Sequence, residues 1–386
     1  MGVVHPVTGA LAEPGQACRL GARMAAEAIN AEGGIRALGA MRLDLLLGDT
    51  QSRPELGRVE AERLVEQGAQ MLVGAFDSAS TAAMAAVAQE RRVPLLVDVA
   101  VADSITAGVA RAVREGQQKV QYVYRNFPTG SVFARKAVEY FTEIFHEAGV
   151  RPRRVLLMHT SDPFGQSQAR TFLAAYRAAA PTWQLLDELI AWPETAADLS
   201  AEVARARALR PDVIAPITRP ASARLLLPEI ARQRVDVLGI VGPGSPGLHE
   251  AGQIAALKEH LEQVMTSVPW PNFRNPRTRQ VAHAYVTRTG GKTFDTHAGY
   301  AYDAMMLVAD ALERAQSTDP EAIAQALRTT RYTGGLMVYG GPVVFDEQGD
   351  NPNAIPAMIQ ILGQKPVAVW PKEIAQQRFV FPRPKA

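Results

Sequence analysis

The sequence predicts an α/β protein with mostly parallel sheets covered by helices on both faces. Three observations carry this. Apolar runs of strand length alternate with helical stretches along most of the chain. The runs are continuous instead of alternating apolar with polar, as strands buried on both faces require. The length, 386 residues, allows two or three domains with cores large enough to need no covalent staples.

The first run, Gly2 to His5, precedes a long helical stretch that reaches about Glu32 and stops at Gly33-Gly34. Arg42 to Leu47 reads as a strand, Pro54 to Gln67 as a helix, Met71 to Phe76 as a strand, Thr81 to Arg91 as a helix and Pro94 to Val99 as a buried strand. The same alternation resumes after Tyr124, with helices at Ser131–Glu147, Gln166–Ala179, Ala197–Arg210, Ala221–Arg232 and His249–Leu261. Strands at Val155–Thr160, Val213–Ile217 and Val235–Val241 lie between them. Helices follow near 276–288, 297–314 and 319–328. The last starts at Thr318-Asp319-Pro320-Glu321, which offers a capping box and a first-turn proline. Four short strands close the chain: Met337–Tyr339, Val343–Asp346, Ile355–Leu362 and Val367–Trp370. His5-Pro-Val-Thr…Gly15-Gln16 is echoed by His159-Thr-Ser-Asp…Gly165-Gln166, as two related lobes would produce and as chance also would.

Charge is balanced, 41 Lys+Arg against 39 Asp+Glu, and both signs are spread along the chain, which argues against a nucleic-acid partner. One cysteine, Cys18, excludes an internal disulfide and any multi-cysteine metal site; it reads as a buried, inert thiol. No run of about 18 apolar residues could span a bilayer. The first twenty residues hold Pro6, Glu13, Pro14 and Arg19, so they do not form a signal peptide.

The motif search yields no assembled nucleophile, metal cage, cofactor site or acid/base pair. Gly242-Pro-Gly244-Ser-Pro-Gly247 has the spacing of a dinucleotide loop, but Pro243 and Pro246 have no N–H to aim at a pyrophosphate, so it reads as a rigid turn. Gly290-Gly-Lys-Thr293 lacks the leading glycine of a phosphate loop, and His249-Glu250 lacks a second histidine four residues on. The remaining candidates are loops at the carboxyl ends of strands, where open α/β sheets bind ligands. Asp77-Ser78-Ala79-Ser80-Thr81 opens a helix after the third strand, and its hydroxyls and amides suit an anionic or carbonyl group or serve only as a cap. His5 and Asp98 end strands, facing either a cleft or the rim.

Taken in order, several blocks resemble one family. They are Ala25-Ala-Glu-Ala-Ile-Asn-Ala-Glu-Gly-Gly-Ile35, Leu47-Gly-Asp-Thr-Gln-Ser-Arg-Pro-Glu55, Val73-Gly-Ala with Ser78 and Thr81, Tyr124-Arg-Asn-Phe-Pro128, Ser161-Asp-Pro-Phe-Gly165, Ala301-Tyr-Asp-Ala-Met305, Gly340-Gly-Pro-Val-Val-Phe-Asp346 and Val369-Trp-Pro371. Together they resemble the leucine/isoleucine/valine-binding branch of the type I periplasmic binding proteins, receptors that hand small solutes to ABC importers. The resemblance implies two Rossmann-like lobes joined by three hinge crossings, with the ligand cleft between them. The crossings map near Val123–Arg125, Met265–Ser267 and Tyr339–Gly340, so that 1–123 with 267–338 forms one lobe and 124–265 with 340–386 the other. It also implies a monomer, export to the periplasm with a leader absent from this chain, a membrane permease as partner, no cofactor and no catalysis.

In amino-acid receptors of this family, hydroxyls and backbone amides hold the α-carboxylate and acids hold the α-ammonium. Ser78 matches the family serine. Val101, flanked by Val99 and Ala100, stands where a threonine is expected, and Gly244 and Gly130 stand where acids are expected. An enclosed ammonium without acceptors carries a desolvation cost of several kcal/mol. Arg219, at the end of the Val213–Ile217 run, has a guanidinium suited to clamping a carboxylate. Phe76, Phe127, Phe164 and Tyr302 offer apolar walls. The expected ligand is therefore a small carboxylate without an α-amine, an aromatic or hydrophobic organic acid. The competing reading leaves Arg219 as a solvated helix-start residue and places an ammonium on Asp98, Asp77 or Asp103. Two other functions stay open: a cytoplasmic ligand-sensing regulator on the same fold, and a Rossmann-type enzyme using Gly242–Gly247.

Overall fold

The computed structural model of the chain describes residues 1–384. They divide into two compact units, Met1–Thr129 with Pro269–Ile355, and Gly130–Val268 with the residues from Pro356 onward.

The first unit carries a five-stranded, all-parallel sheet in the order β2-β1-β3-β4-β5. Its strands are β1 (Gly2–His5), β2 (Leu46–Asp49), β3 (Leu72–Gly74), β4 (Leu95–Val97) and β5 (Val123–Arg125). Helices α1 (Ala12–Ala31), α2 (Pro54–Glu66), α3 (Ser78–Arg91) and α4 (Ser104–Arg114) connect them. Three more, α10 (Pro276–Thr289), α11 (Thr296–Ala315) and α12 (Pro320–Arg328), come from the later stretch. Helix α1 ends where expected: Gly33 and Gly34 take φ +106 and +71, and the Gly34 N–H bonds the Ile29 carbonyl. Helix α11 is buried along most of its length and packs against α1 closely enough that a Cβ on Gly21 would lie 2.1 Å from the Ala298 carbonyl oxygen.

The second unit carries a seven-stranded sheet in the order β12-β11-β10-β9-β8-β6-β7. Strands β6 (Val155–Thr160), β7 (Ile190–Trp192), β8 (Val213–Ile217), β9 (Gly239–Gly242) and β10 (Met265–Val268) run parallel, and β11 (Ala357–Leu362) and β12 (Lys365–Trp370) add an antiparallel edge. Helices α5 (Gly130–Glu147), α6 (Pro163–Ala179), α7 (Ser200–Ala208), α8 (Pro220–Arg232) and α9 (Ala251–Leu257) cover it. Strand β6 shows why its sequence is continuously apolar. Val155 and Leu157 pack with Phe141, Phe172 and Trp183 on one face, while Leu156 and Met158 pack with Leu199, Leu226 and Ile230 on the other. The parallel strands of the two units share one order, β2-β1-β3-β4-β5 and β7-β6-β8-β9-β10, which accounts for the echo between His5–Gln16 and His159–Gln166.

Several expectations are corrected. The strand expected at Arg42–Leu47 begins only at Leu46, and the one at Val235–Val241 only at Gly239. The helix expected at His249–Leu261 starts at Ala251 and breaks at Lys258, whose φ is +46, into a short 3₁₀ turn. Helix α4 and strand β7 were not anticipated. Met337–Tyr339 and Val343–Asp346 form only isolated bridges, Pro271 to Met337, Tyr339 to Ala354 and Tyr332 to Val343. The cap of α12 is Asp319, which accepts the Ala322 N–H at 3.0 Å; Glu321 faces the Tyr122 hydroxyl instead of closing a box.

The chain changes unit at 129/130, 268/269 and 355/356. The third change differs most from the expected Tyr339–Gly340, and the reason is Arg125. Its side chain has no solvent exposure, and its Nε donates to Asp350 Oδ1 at 2.8 Å. The rest of the guanidinium donates to the Ala100 and Ala102 carbonyls and to Thr106 Oγ1. The Arg125 N–H also bonds the Gly349 carbonyl, and the Gly340 N–H bonds the Asn353 carbonyl, so residues 340–355 belong to the first unit. Asp350→Ala leaves this buried cation unpaired. The expected loss is about 3–5 kcal/mol of stability, read as a lower Tm by calorimetry; an unchanged Tm would show that the pair does not anchor the segment.

Candidate functional site

At the carboxyl edge of the first sheet, β3 runs into Asp77, whose Oδ1 accepts the Ser80 N–H at 2.8 Å and caps α3. Most hydroxyls in this loop are engaged internally. Thr81 Oγ1 donates to the Asp77 carbonyl at 2.7 Å and accepts from the Ala75 N–H at 3.3 Å. Ser80 is fully buried, and its backbone lies under Gly57 of α2, where a Cβ would come within 2.6 Å of it. Thr81 is also fully buried, and the Ser80 hydroxyl has no hydrogen-bond partner among the described residues. Ser78 is half-buried, accepts the Ala102 N–H at 3.2 Å and keeps its own hydroxyl hydrogen to give.

His5 and Asp98 are not exposed at the rim. Both are fully buried, paired Nε2 to Oδ2 at 2.7 Å. Val99 is buried and Val101 half-buried in the same loop. Phe76 is half-buried with its ring edge-on to His297, centroids 5.3 Å apart, and Phe127 is buried edge-on to Tyr300 at 4.7 Å. Tyr302 lies five positions beyond His297, about 140° around α11, and its hydroxyl bonds the Arg277 guanidinium of α10. The structure therefore separates Tyr302 from Phe76.

At the carboxyl edge of the second sheet the groups are more open. Asp162 caps α6 by accepting the Gly165 N–H at 2.9 Å with Oδ1, and its Oδ2 accepts from Arg219 Nε at 2.8 Å. Arg219 occupies the position just before α8 without a side-chain capping bond, and its guanidinium carbon lies 4.5 Å from the centroid of the Phe164 ring. Its side chain is 42% exposed. Arg219 is therefore held by a carboxylate and an aromatic face, not solvated freely. Burial pushes the Asp162 carboxyl up, but the Gly165 N–H, Thr160 hydroxyl and Arg219 outweigh it, and the net direction is down. Glu194, just past β7, goes up: burial dominates, Asp162 adds to it, and Arg219 and the Ser222 hydroxyl oppose it.

Gly242–Gly247 is the rigid turn its prolines imply. Gly244 takes φ +90. Ser245 accepts the Thr218 N–H and donates its own N–H to Thr266 Oγ1 at 3.0 Å. A Cβ on Gly247 would lie 2.5 Å from the Arg219 carbonyl oxygen, so this glycine permits close packing on α8. Asp162 and Glu194 were missed as site residues. Asp162 sits inside the quoted Ser161–Gly165 block, and Glu194 follows the Ile190–Trp192 run, whose apolar character is the signal that was available.

Residues 1–361 match the family described as periplasmic binding protein. The chain belongs to the periplasmic binding protein family. A curated relative of this binding protein is Leu/Ile/Val-binding protein homolog 8 of Brucella abortus, 24% identical over 388 residues that span 98% of this chain and 92% of that one. Among solved structures, a putative branched-chain amino acid ABC transporter from Silicibacter pomeroyi has a TM-score of 0.82 at 19% identity, covering 99% of this chain and 98% of that one. An ABC transporter solute-binding protein from R. palustris in complex with benzoate has a TM-score of 0.70 at 18% identity, covering 95% and 94%. These structural likenesses establish the fold. Among the described residues no helix is long and apolar enough to cross a membrane.

The family-like Ala301–Met305 block of this binding protein places Asp303 in the core of the first unit. Its carboxyl accepts the Leu336 and Met337 N–H groups and the Tyr339 hydroxyl. Burial outweighs these donors and pushes it up to about 7. A carboxyl raised in the folded state stabilises fully below its unfolded pKa of about 4. That contribution is lost as pH rises towards the folded value. Wild-type stability should therefore fall between about pH 4 and 7 by up to roughly 4 kcal/mol more than that of Asp303→Asn, measured by urea unfolding across that window. Parallel pH profiles for the two proteins would refute the assignment.

Proposed function

We propose that this chain is the solute receptor of an ABC importer, a periplasmic monomer that binds a small carboxylate lacking an α-amine and passes it unaltered to a membrane permease. The aromatic or hydrophobic organic acids are the favoured class. The observation that carries this is Arg219. Its Nε is taken by Asp162 and one face rests on Phe164, while among the described residues neither Nη atom has a hydrogen-bond acceptor. A guanidinium oriented in this way presents two parallel donors to a carboxylate. Ser78, Phe76, Val99, Val101, Phe127 and Gly244 are proposed as further ligand contacts. That a protein of the same fold holds benzoate is consistent with this class. The reading includes hinge closure on the solute, which small-angle scattering with and without solute tests.

A second reading is favoured by Asp162 and Glu194. Two carboxylates beside one guanidinium give the second unit's edge an acceptor pair for an ammonium group, and the curated relative is named for leucine, isoleucine and valine. Matched solutes separate the two. Calorimetric titration with 4-methyl-2-oxopentanoate against leucine, and phenylpyruvate against phenylalanine, changes only the α-substituent. The first reading expects each oxo acid to bind at least about tenfold more tightly than its amino acid. It also expects Arg219→Ala to weaken binding roughly 10–100-fold, the range of a lost charge-assisted bond. Tighter binding of the amino acids, weakened by Glu194→Gln and Asp162→Asn, establishes the second reading. Affinity untouched by Arg219→Ala removes this residue from the site.

A further inference from the structure

The most unusual polar group in the first unit lies beneath the edge described above. His5 from the end of β1, Cys18 from α1 and Asp98 just past β4 are all fully buried, and one donor atom from each lies within 4.8 Å of the others. The His5–Asp98 hydrogen bond satisfies only half of this pair. His5 Nδ1 and Asp98 Oδ1 are both buried without a hydrogen-bond partner. Leaving two polar atoms of a buried pair unsatisfied is costly, and such atoms mark sites where an ion or a water is missing from the account.

We propose that His5, Cys18 and Asp98 form a binding site for a zinc-class divalent transition metal ion. The donor set of imidazole, thiolate and carboxylate suits Zn²⁺; Mg²⁺ and Ca²⁺ require oxygen ligands in larger number. Charge also closes: a neutral imidazole, a thiolate and a carboxylate balance a dication, so the occupied site carries no net charge into the core. Tetrahedral Zn²⁺ with bonds of about 2.0–2.3 Å separates its ligand atoms by roughly 3.3–3.8 Å. The three donor atoms lie within 4.8 Å of one another, so differences of about 1 Å separate their present spacing from that one. Burial, followed by the Asp98 and Asp295 carboxylates, pushes the Cys18 thiol well up, so the ion must displace a proton on binding. Its structural effect would be to pin β1, α1 and the loop after β4 together under the candidate solute edge.

Because Cys18 is the only cysteine in the chain, the test has a clean signature. Purified full-length protein is stripped with chelator and titrated with Co²⁺. The expected result is a thiolate-to-cobalt charge-transfer band that saturates at one equivalent and is abolished by one equivalent of Zn²⁺. Cys18→Ser should lose the band, and His5→Gln should weaken cobalt binding by at least about tenfold. Zn²⁺ should raise the Tm of the wild type and leave that of Cys18→Ser unchanged. Absence of the band in folded wild-type protein at excess Co²⁺ overturns the proposal and assigns the unsatisfied atoms to ordered water. Cobalt binding that survives Cys18→Ser at unchanged affinity overturns it in favour of a surface site. Should the variants fail to fold, the wild-type spectrum decides alone, since any thiolate band can come only from Cys18.

Discussion

A guanidinium with no access to water has to find every partner inside the protein, and Arg125 finds four. It gathers the loop after β4 through the Ala100 and Ala102 carbonyls, α4 through Thr106, and the late segment through Asp350. The consequence reaches the candidate site, because Ala102 in turn donates its N–H to Ser78 at the start of α3. The position of the Val99–Val101 loop relative to the Asp77–Thr81 loop is therefore set by a buried charge that touches neither Val99 nor Ser78. Burying a lone arginine would be prohibitive; burying it with a carboxylate and three oxygen acceptors converts that cost into geometric specification.

The two carboxyl edges differ in how their polar groups are used. In the first unit, Asp77 Oδ1 and the Thr81 hydroxyl are taken up by the backbone at the start of α3, and His5 and Asp98, both buried, bond each other through one atom each, so this edge offers few groups outward. In the second unit, Asp162 does two jobs with its two oxygens, capping α6 with one and orienting Arg219 with the other. A partly exposed arginine fixed at both Nε and its aromatic face loses little conformational freedom when a ligand arrives. Glu194 and Asp162 place two carboxyl groups around the same guanidinium, so this edge carries both signs of charge.

Much of the fold was legible because parallel strands buried on both faces leave continuous apolar runs, and β6 and β8 match their expected bounds residue for residue. Strand starts at Leu46 and Gly239 were not legible: the apolar residues before them are buried or half-buried by loop packing, which periodicity cannot distinguish from pairing. The pair of isolated bridges near Met337 and Val343 failed for the same reason. At the candidate site, Arg219, Phe164 and Ser78 are singled out by type and position, and their role as ligand contacts is a proposal. The burial of Ser80 and the bond from the Thr81 hydroxyl to the Asp77 carbonyl are not legible, since a hydroxyl at a helix start looks the same in sequence whether it faces outward or inward. The grouping of His5, Cys18 and Asp98 was invisible because the three lie 13 and 80 residues apart and come together only through the sheet order.

The first unit is assembled from two stretches separated by the whole middle of the chain, Met1–Thr129 and Pro269–Ile355. Helix α11, from the second stretch, covers α1 from the first, with backbone approach that only Gly21 permits. During synthesis the amino-terminal sheet must wait for more than half of the protein to emerge before that face of α1 is covered. Its nascent form therefore keeps an apolar helix flank uncovered until the second stretch has been made.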